Sequence, residues 1–228
     1  MPALSGQADP IIYSVGMDTR SFDLIDQVFG QIDKAIKVLS APARPSRPAP
    51  AAPQAEALSE PQRTLSARLM RVNHSGEVAA QALYQGQALT AGDAAVSAAM
   101  RHAAAEENDH LAWCEARLGE LKGRTSVLNP LWYMGSLAIG ALAGALGNSA
   151  SLGFVTETER QVESHLRGHM ERLGSADPQS RAILEQMTHD EVQHGAHAAS
   201  LGGGELPMPV AVAMRLTSRL MTLSSYWL

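Results

Sequence analysis

Two copies of one short motif, Glu-x-x-His, stand far apart in the chain, at Glu107–His110 and at Glu191–His194. On an α-helix, side chains three residues apart lie on the same face, so each motif presents a carboxylate and an imidazole to one point. A single pair of this kind is usually a solvated glutamate beside an unrelated histidine. Two pairs on apolar helix faces indicate metal binding instead, because carboxylate and imidazole are both metal ligands.

The sequence also places one glutamate in the apolar, core-facing stripe of each of four predicted helices: Glu77, Glu107, Glu159 and Glu191. A buried ionised carboxylate is strongly destabilising unless it is paired with a charge or bound to a cation. The stripes contain no Lys or Arg, so the positive charge must come from elsewhere. Metal ions would supply it, and His110 and His194 complete a set of six ligands.

The spacing of these residues supports one shared site. Glu77 and Glu107 are 30 residues apart, Glu159 and Glu191 are 32 apart, and both midpoints fall in predicted turns. Residues equidistant from the turn of a helical hairpin lie at the same height, here roughly 20 Å from the turn. The two halves of the chain thus form a pseudo-repeat with the ligands of a carboxylate-bridged di-iron or di-manganese site.

The types of the six ligands favour some metals over others but do not identify a single metal. Oxygen-rich ligands without a thiolate favour iron over structural zinc, whereas manganese takes the same ligands as iron. Asp109 and Asp190 stand beside the motifs; each can accept the ring N–H of a ligating histidine on a neighbouring helix, or each can be a surface acid. Five residues outside the stripes are expected to face solvent: Glu106, Glu157, Glu163, His169 and His197.

The elements that must position these side chains are helices. Apolar residues recur at helical spacing over residues 62–90, 94–121, 150–173 and 179–200, with Gly- and Pro-containing breaks between them. Aromatic residues make up only 4% of the chain, which suits helices better than β-sandwiches or barrels. We therefore predict an all-α fold, a four-helix bundle made of two helical hairpins.

The N-terminal part of the chain has a different composition. Residues 1–40 are predicted to be an extension with a short amphipathic helix from about residue 18 to 39. Residues 41–61 hold six of the 12 prolines and are predicted to be an extended linker. Residues 62–228 then form the bundle domain.

Residues 125–156, between the hairpins, contain no Asp, Glu, Lys, Arg or His. The apolar crossover at 131–146 is shorter than the roughly 20 residues that span a bilayer. It is either a buried crossover helix or a surface that dips into a membrane. A C-terminal amphipathic helix, predicted over 210–228 with Tyr226 and Trp227 at its end, would be a second interfacial contact.

Composition excludes several classes of protein. A net charge of −5 gives no general attraction for phosphate backbones, so we expect no nucleic-acid partner. Cys114 is the only cysteine, which excludes a disulfide within the chain and a zinc ribbon. The first residues lack a basic region followed by an apolar run, so no secretory signal is expected, and no GxGxxG nucleotide motif is present.

Several longer motifs closely resemble the bacterial demethoxyubiquinol hydroxylase family over about residues 62–228. They lie at Arg71–Glu77, Tyr84–Gln87, Glu107–Cys114, Thr125–Trp132, Glu159–Leu166 and Asp190–His194, in the family's order. The resemblance implies a ferritin-like bundle with two irons. It also implies that Glu77, Glu107, His110, Glu159, Glu191 and His194 hold them, with Glu107 and Glu191 bridging.

The same resemblance implies a monooxygenase activity. The enzyme would hydroxylate the ring of prenylated demethoxyubiquinol with O₂, a late step of ubiquinone biosynthesis. One oxygen atom leaves as water, so an external reductant or the quinol must supply two electrons. His165 is predicted to bind the quinol or to act just outside the metal ligands. The chain would be a peripheral protein on the cytoplasmic face of the plasma membrane, in contact with lipid, with other ubiquinone-biosynthesis proteins and with its own copies.

Two alternatives stay open at this stage. Another ferritin-like di-iron protein, such as an oxidase or a peroxide reductase, would use the same ligands, and a metal-free helical scaffold at a membrane surface would use none. The long uncharged segment argues against a storage protein with a polar shell. Six potential ligands inside core stripes argue against the scaffold.

Overall fold

The computed structural model describes residues 24–53 and 56–228. These residues form α-helices and no β-strand, which confirms the predicted all-α fold. In chain order the helices are α1 (Leu24–Ser40), α2 (Glu60–Thr90), α3 (Ala94–Glu120), α4 (Asn129–Ala145), α5 (Asn148–Leu173), α6 (Pro178–Ser200) and α7 (Met208–Trp227). The predicted start of the first helix, near residue 18, lies outside the described residues.

Two helical hairpins, α2–α3 and α5–α6, pack together as a four-helix bundle. The second helix of each hairpin begins at an aspartate N-cap. Asp93 accepts a hydrogen bond from the backbone N–H of Ala95 at 2.6 Å, and Asp177 accepts one from that of Ser180 at 2.9 Å. Such caps satisfy donors that the first helical turn leaves free, and each contributes about 1 kcal/mol.

The core of the bundle consists of two apolar clusters with a polar layer between them. One cluster lies toward the α5–α6 turn and includes Leu69, Trp113, Leu166 and Leu184. The other lies toward the α2–α3 turn and includes Tyr84, Met100, Leu152 and Ala198. A fully buried side chain of this size contributes about 1.5–3 kcal/mol, so the clusters hold the four helices at fixed rotations around the layer.

The apolar crossover forms α4, which packs against α2 on the outside of the bundle. The helices approach closely at three glycines: a Cβ on Gly86, on Gly140 or on Gly144 would collide with the backbone of the other helix. The outer face of α4 exposes the apolar residues Leu131, Met134, Ile139 and Leu142, and Leu146, just after the helix, is exposed as well. The crossover is therefore not a buried helix, and none of the described helices is long and apolar enough to cross a bilayer.

The proline-rich segment, residues 41–53, lies along α3 and α6 in a nonhelical conformation. Its backbone is fixed by side chains of both helices. The Ala43 N–H donates to Glu115 at 3.1 Å, and the Ala52 N–H donates to Gln179 at 3.1 Å. The segment therefore crosses the seam between the two hairpins. The division of the chain into extension, linker and bundle stays a prediction.

Candidate metal centre

Four buried glutamates, one from each helix of the bundle, meet in the layer between the two apolar clusters. Glu77, Glu107, Glu159 and Glu191 are each at most 3% exposed. His110 on α3 is fully buried, and the side chain of His194 on α6 is 11% exposed. The structure thus brings together all six residues that the sequence assigns to metal binding.

Their ligand atoms form two overlapping groups, within each of which the atoms lie no more than 4.8 Å apart. The first group is Glu77, Glu107, His110 and Glu191, and the second is Glu107, Glu159, Glu191 and His194. Glu107 and Glu191 belong to both groups. The geometry is that of two adjacent cation positions, each with its own glutamate and histidine, which share two carboxylates.

Three carboxylate oxygens of this layer are buried without a hydrogen-bond partner among the described residues: Oε1 of Glu107, of Glu159 and of Glu191. An unpaired buried carboxylate oxygen is strongly destabilising because it has lost its water. Hard divalent cations with a preference for oxygen would satisfy all three. The residues therefore fit a dinuclear metal site by their donor chemistry as well as by their positions.

The pKa shifts of the layer show that its buried carboxylates need positive charge nearby. Burial raises the pKa of Glu77 and of Glu159 well above the ordinary value. Burial acts in the same direction on Glu107, but the adjacent His110 outweighs it and lowers that pKa. Burial opposes the charged form of His194, yet hydrogen bonds to Glu107 and Glu191 raise its pKa to about 12. Without metal, bound protons thus neutralise the buried carboxylates, and metal ions would replace those protons.

The outer nitrogen of each histidine meets an acid from the opposite hairpin. His110 Nδ1 is 3.1 Å from Glu107, and its Nε2 is 3.0 Å from Asp190 Oδ2. His194 Nδ1 is 3.3 Å from Glu191, and its Nε2 is 3.0 Å from Glu106 Oε2. Carboxylates in this position orient a ligating imidazole. Of the two roles left open for Asp190, the structure supports the first.

Comparison with known proteins agrees with this geometry. The family model described as "Ubiquinone biosynthesis protein COQ7" matches residues 64–225. The chain belongs to the COQ7 family. The resemblance stated from its motifs is thereby confirmed.

Curated relatives of this COQ7-family chain carry the name "3-demethoxyubiquinol 3-hydroxylase". The protein from Burkholderia lata is 55% identical over 207 residues, which cover 90% of this chain and 100% of the relative. The proteins from Azoarcus sp. and Nitrosospira multiformis are each 53% identical over 204 residues, 89% of this chain and 99% and 98% of the relatives.

Of the residues expected to face solvent in this COQ7-family chain, His169 does not, so that prediction was wrong, and the Glu157 side chain is only 14% exposed. The Glu106 side chain is 39% exposed, as predicted, but it also bonds to His194. His169 is 5% exposed, and its Nδ1 is 2.8 Å from Asn73 Oδ1. Burial lowers the pKa of His169 to about 2, which keeps the imidazole neutral. His197 is exposed, as predicted.

An apolar cavity lies on the α7 side of the bundle, close to the layer of four buried glutamates. A cavity of about 530 Å³ between α5 and α7 is lined by His165, His169, Tyr226 and Trp227, among others. A narrower cavity continues to Glu77, Glu159 and Glu191. Val72, His165 and Thr222 line both cavities. The two cavities therefore adjoin one another at these three residues.

His165 stands at the junction of these two cavities. Its Nε2 is buried and has no hydrogen-bond partner within the described ranges, and its ring centroid is 4.0 Å from that of His169. Burial lowers the pKa of His165 to about 4, so its imidazole is neutral near pH 7. It is a hydrogen-bonding group aimed at a space that a ligand could occupy.

Sequence reasoning missed Glu106 as a partner of the centre, although a signal was present. An acid stands immediately before the glutamate of each Glu-x-x-His motif, Glu106 in one and Asp190 in the other. This repetition could have identified the pair. Arg47, which bonds to Asp109 at 2.8 Å and to Asp190 at 2.9 Å, had no such signal.

Proposed function

We propose that this protein is a demethoxyubiquinol hydroxylase, a monooxygenase of ubiquinone biosynthesis that acts on the prenylated quinol with O₂ at a dinuclear iron centre. The observation that carries the proposal is the buried layer with two groups of ligand atoms that share Glu107 and Glu191. The printed names of the curated relatives support the substrate and the reaction.

Six residues would hold the two irons. Glu77 and His110 would bind the first iron, Glu159 and His194 the second, and Glu107 and Glu191 both. Bound ferrous iron would supply the electrons that let triplet O₂ react with a closed-shell aromatic ring. The carboxylates suit oxidised, hard cations, and the two apolar clusters keep water from the layer. Manganese is the alternative metal for the same ligands.

The reaction inserts one oxygen atom into the quinol ring and releases the other as water. Two electrons and two protons are therefore consumed in each turnover, and an external reductant or the quinol supplies them. No residue of the layer is free to serve as the acid, because each carboxylate and imidazole would bind metal. The quinol hydroxyls are the remaining source of protons at the centre.

The two adjoining cavities would admit the substrate. The wider one is mostly apolar and would take the prenyl tail, while the narrower one would bring the ring to Glu77 and Glu159. His165 would accept a hydrogen bond from a quinol hydroxyl at its unpaired Nε2. A neutral imidazole is suited to this, since a protonated one could only donate.

The exposed apolar faces of α4 and α7 support contact with a membrane. The large exposed side chains of α7 include Leu216, Leu220, Leu223 and Trp227. Lipid contact on the cytoplasmic face of the plasma membrane would deliver a substrate that dissolves only in lipid. The protein would then be peripheral. Association with other ubiquinone-biosynthesis proteins, or between copies of this chain, stays a prediction.

The function is tested with the full-length protein loaded with ferrous iron. We expect ¹⁸O₂ to label the hydroxylated product of demethoxyubiquinol in lipid vesicles that also contain a reductant. His165→Ala should keep two irons per chain and lose most of the hydroxylation. His197→Ala should keep the two irons and the hydroxylation activity. Peroxide reduction without quinol hydroxylation would favour the alternative di-iron activity. A protein that binds no metal would favour the scaffold.

Membrane contact is tested by placing a charge on the exposed face of α4. Leu142 is 68% exposed, so Leu142→Asp should fold normally yet bind vesicles more weakly and turn over long-chain quinol more slowly. Val192→Asp, at an exposed position on α6, is the matched control. Vesicle sedimentation measures both variants. Wild-type binding by Leu142→Asp would show that α4 does not face lipid.

A further inference from the structure

One guanidinium in the proline-rich segment joins the two hairpins at the height of the metal layer. Arg47 Nε donates to Asp109 Oδ2 on α3 at 2.8 Å, and its Nη2 donates to Asp190 Oδ2 on α6 at 2.9 Å. The Asp109 side chain is 2% exposed and the Asp190 side chain 10% exposed. The planar fork of arginine can reach two carboxylates at once, which a lysine ammonium does less well.

The contact with Asp190 continues to a predicted metal ligand. The same Asp190 Oδ2 is 3.0 Å from His110 Nε2, and Gln186 donates to the other oxygen, Oδ1, at 2.8 Å. Three donors, one each from α3, α6 and the proline-rich segment, therefore fix the position of this carboxylate. A carboxylate that accepts the outer N–H of a ligating histidine fixes the tautomer and the rotation of the ring.

The surrounding contacts hold Arg47 itself in place. Trp113 Nε1 donates to the Arg47 carbonyl at 3.2 Å, and the guanidinium carbon lies 5.0 Å from the centre of the Trp113 ring. The Trp113 ring in turn lies 5.4 Å from that of His110. Ser46 adds a backbone hydrogen bond of 2.6 Å to Asp109. Prolines on both sides of Arg47 restrict the backbone before folding, which lowers the entropy lost when the segment docks.

We infer that Arg47 is a positioning residue for the metal centre: it fixes Asp190, and through Asp190 the imidazole of His110, in the orientation that binds one of the two metal ions. The inference rests on the proposed function, since it assumes that His110 is a ligand. Without Arg47, Asp190 keeps only two donors and the buried Asp109 loses its cation. The ion held by Glu77 and His110 should then bind more weakly, and the ion held by Glu159 and His194 should not.

The test uses the full chain titrated with Co²⁺, because its absorption follows metal binding independently of activity and the titration gives the number of ions bound and their affinities. We expect wild-type protein to bind two ions. Arg47→Gln should weaken one site about 10–100-fold, the usual effect of losing an outer partner of a ligand, and leave the other nearly unchanged. Arg47→Lys should restore part of the loss. Arg44→Gln is the matched control, because the exposed Arg44 contacts Asn108 through its carbonyl.

The outcomes distinguish the inference from the proposed function. Two unchanged sites in Arg47→Gln would overturn the inference while leaving the proposed function standing. Equal weakening of both sites, with a lower melting temperature, would also overturn it, because Arg47 would then only stabilise the fold. An equal effect of Arg44→Gln would do the same. Failure of the wild-type protein to bind any Co²⁺ would overturn the inference and the proposed function together.

Discussion

His110 and His194 occupy equivalent places in the two hairpins, but their surroundings differ. His110 is fully buried, and its partner Asp190 is also held by Arg47 and Gln186. The side chain of His194 is 11% exposed, and its partner Glu106 is 39% exposed. Glu106 Oε2 also lies 3.0 Å from Nδ1 of His102, whose side chain is 74% exposed. One histidine is enclosed by the proline-rich segment, whereas the other lies near solvent.

The pseudo-repeat therefore specifies which residues are the candidate ligands but not how firmly each is held. In both hairpins the acid before the shared glutamate reaches the histidine of the other hairpin, because consecutive helical residues point about 100° apart. A covered carboxylate cannot be replaced by water, whereas an exposed one can. The two metal positions should therefore differ in affinity although their ligands are of the same residue types.

The largest effect is expected where the two halves are equivalent. Glu107→Ala and Glu191→Ala should each lose both metals, since each carboxylate belongs to both ligand groups. Elemental analysis of purified protein should find close to two metals per chain in the wild type and almost none in these variants. The matched control is Glu163→Ala, which removes a surface pair with Arg167 on the same helix. Equal loss in the control would break the assignment of the layer.

A smaller effect should separate the two halves. Asp190→Asn should weaken metal binding about 10–100-fold, because Asp190 fixes His110 in a site that water does not reach. Glu106→Gln should weaken it only a few-fold, since water can replace an exposed carboxylate. Competition with a chelator measures both, and Glu185→Gln on the surface of α6 is the control. Equal losses in the two variants would remove the asymmetry.

The smallest effect concerns the turns of the two hairpins. The N-cap Asp177 is 2% exposed and also pairs with Arg117 of the other hairpin at 2.8 Å, whereas the N-cap Asp93 is exposed. Asp177→Ala should lower the free energy of unfolding by about 2 kcal/mol, because it removes the helix cap and also the buried partner of Arg117, which keeps only the exposed Glu120 and Ser180. Asp93→Ala should lower it by about 1 kcal/mol. Urea unfolding of the metal-free protein measures both.

Acid unfolding provides a second reading of the same pair. Burial raises the pKa of Asp177, but hydrogen bonds from Ser180 and the charge of Arg117 outweigh burial and lower it. A lowered folded-state pKa means that the stabilisation is complete above the unfolded-state pKa and is lost as pH falls through the folded-state pKa. Asp177→Asn should therefore flatten the acid side of the stability profile. An unchanged profile would show that folding does not lower the pKa of Asp177.

The helices, and the side chains that meet within each hairpin, could be predicted from the amino-acid pattern alone. Helical periodicity fixes the face on which a residue lies, and equal distance from a turn fixes its height, so Glu77 and Glu107 had to meet, as did Glu159 and Glu191. Both properties are local to one hairpin. For that reason the all-α fold and the pairing within each hairpin could be predicted without coordinates. The convergence of the two pairs was predicted instead from the cost of burying four carboxylates without a shared cation.

The surroundings of the six candidate ligands, in contrast, depend on how the helices pack together. Whether Asp190 contacts His110 depends on the relative rotation of α3 and α6, which is set by packing in the two apolar clusters rather than by the pattern within either helix. The burial of His169 likewise follows from its neighbour Asn73 on α2. Arg47 lies in a segment without periodicity, so nothing in its sequence could indicate where it docks. Its place is fixed by hydrogen bonds to residues more than 60 positions away.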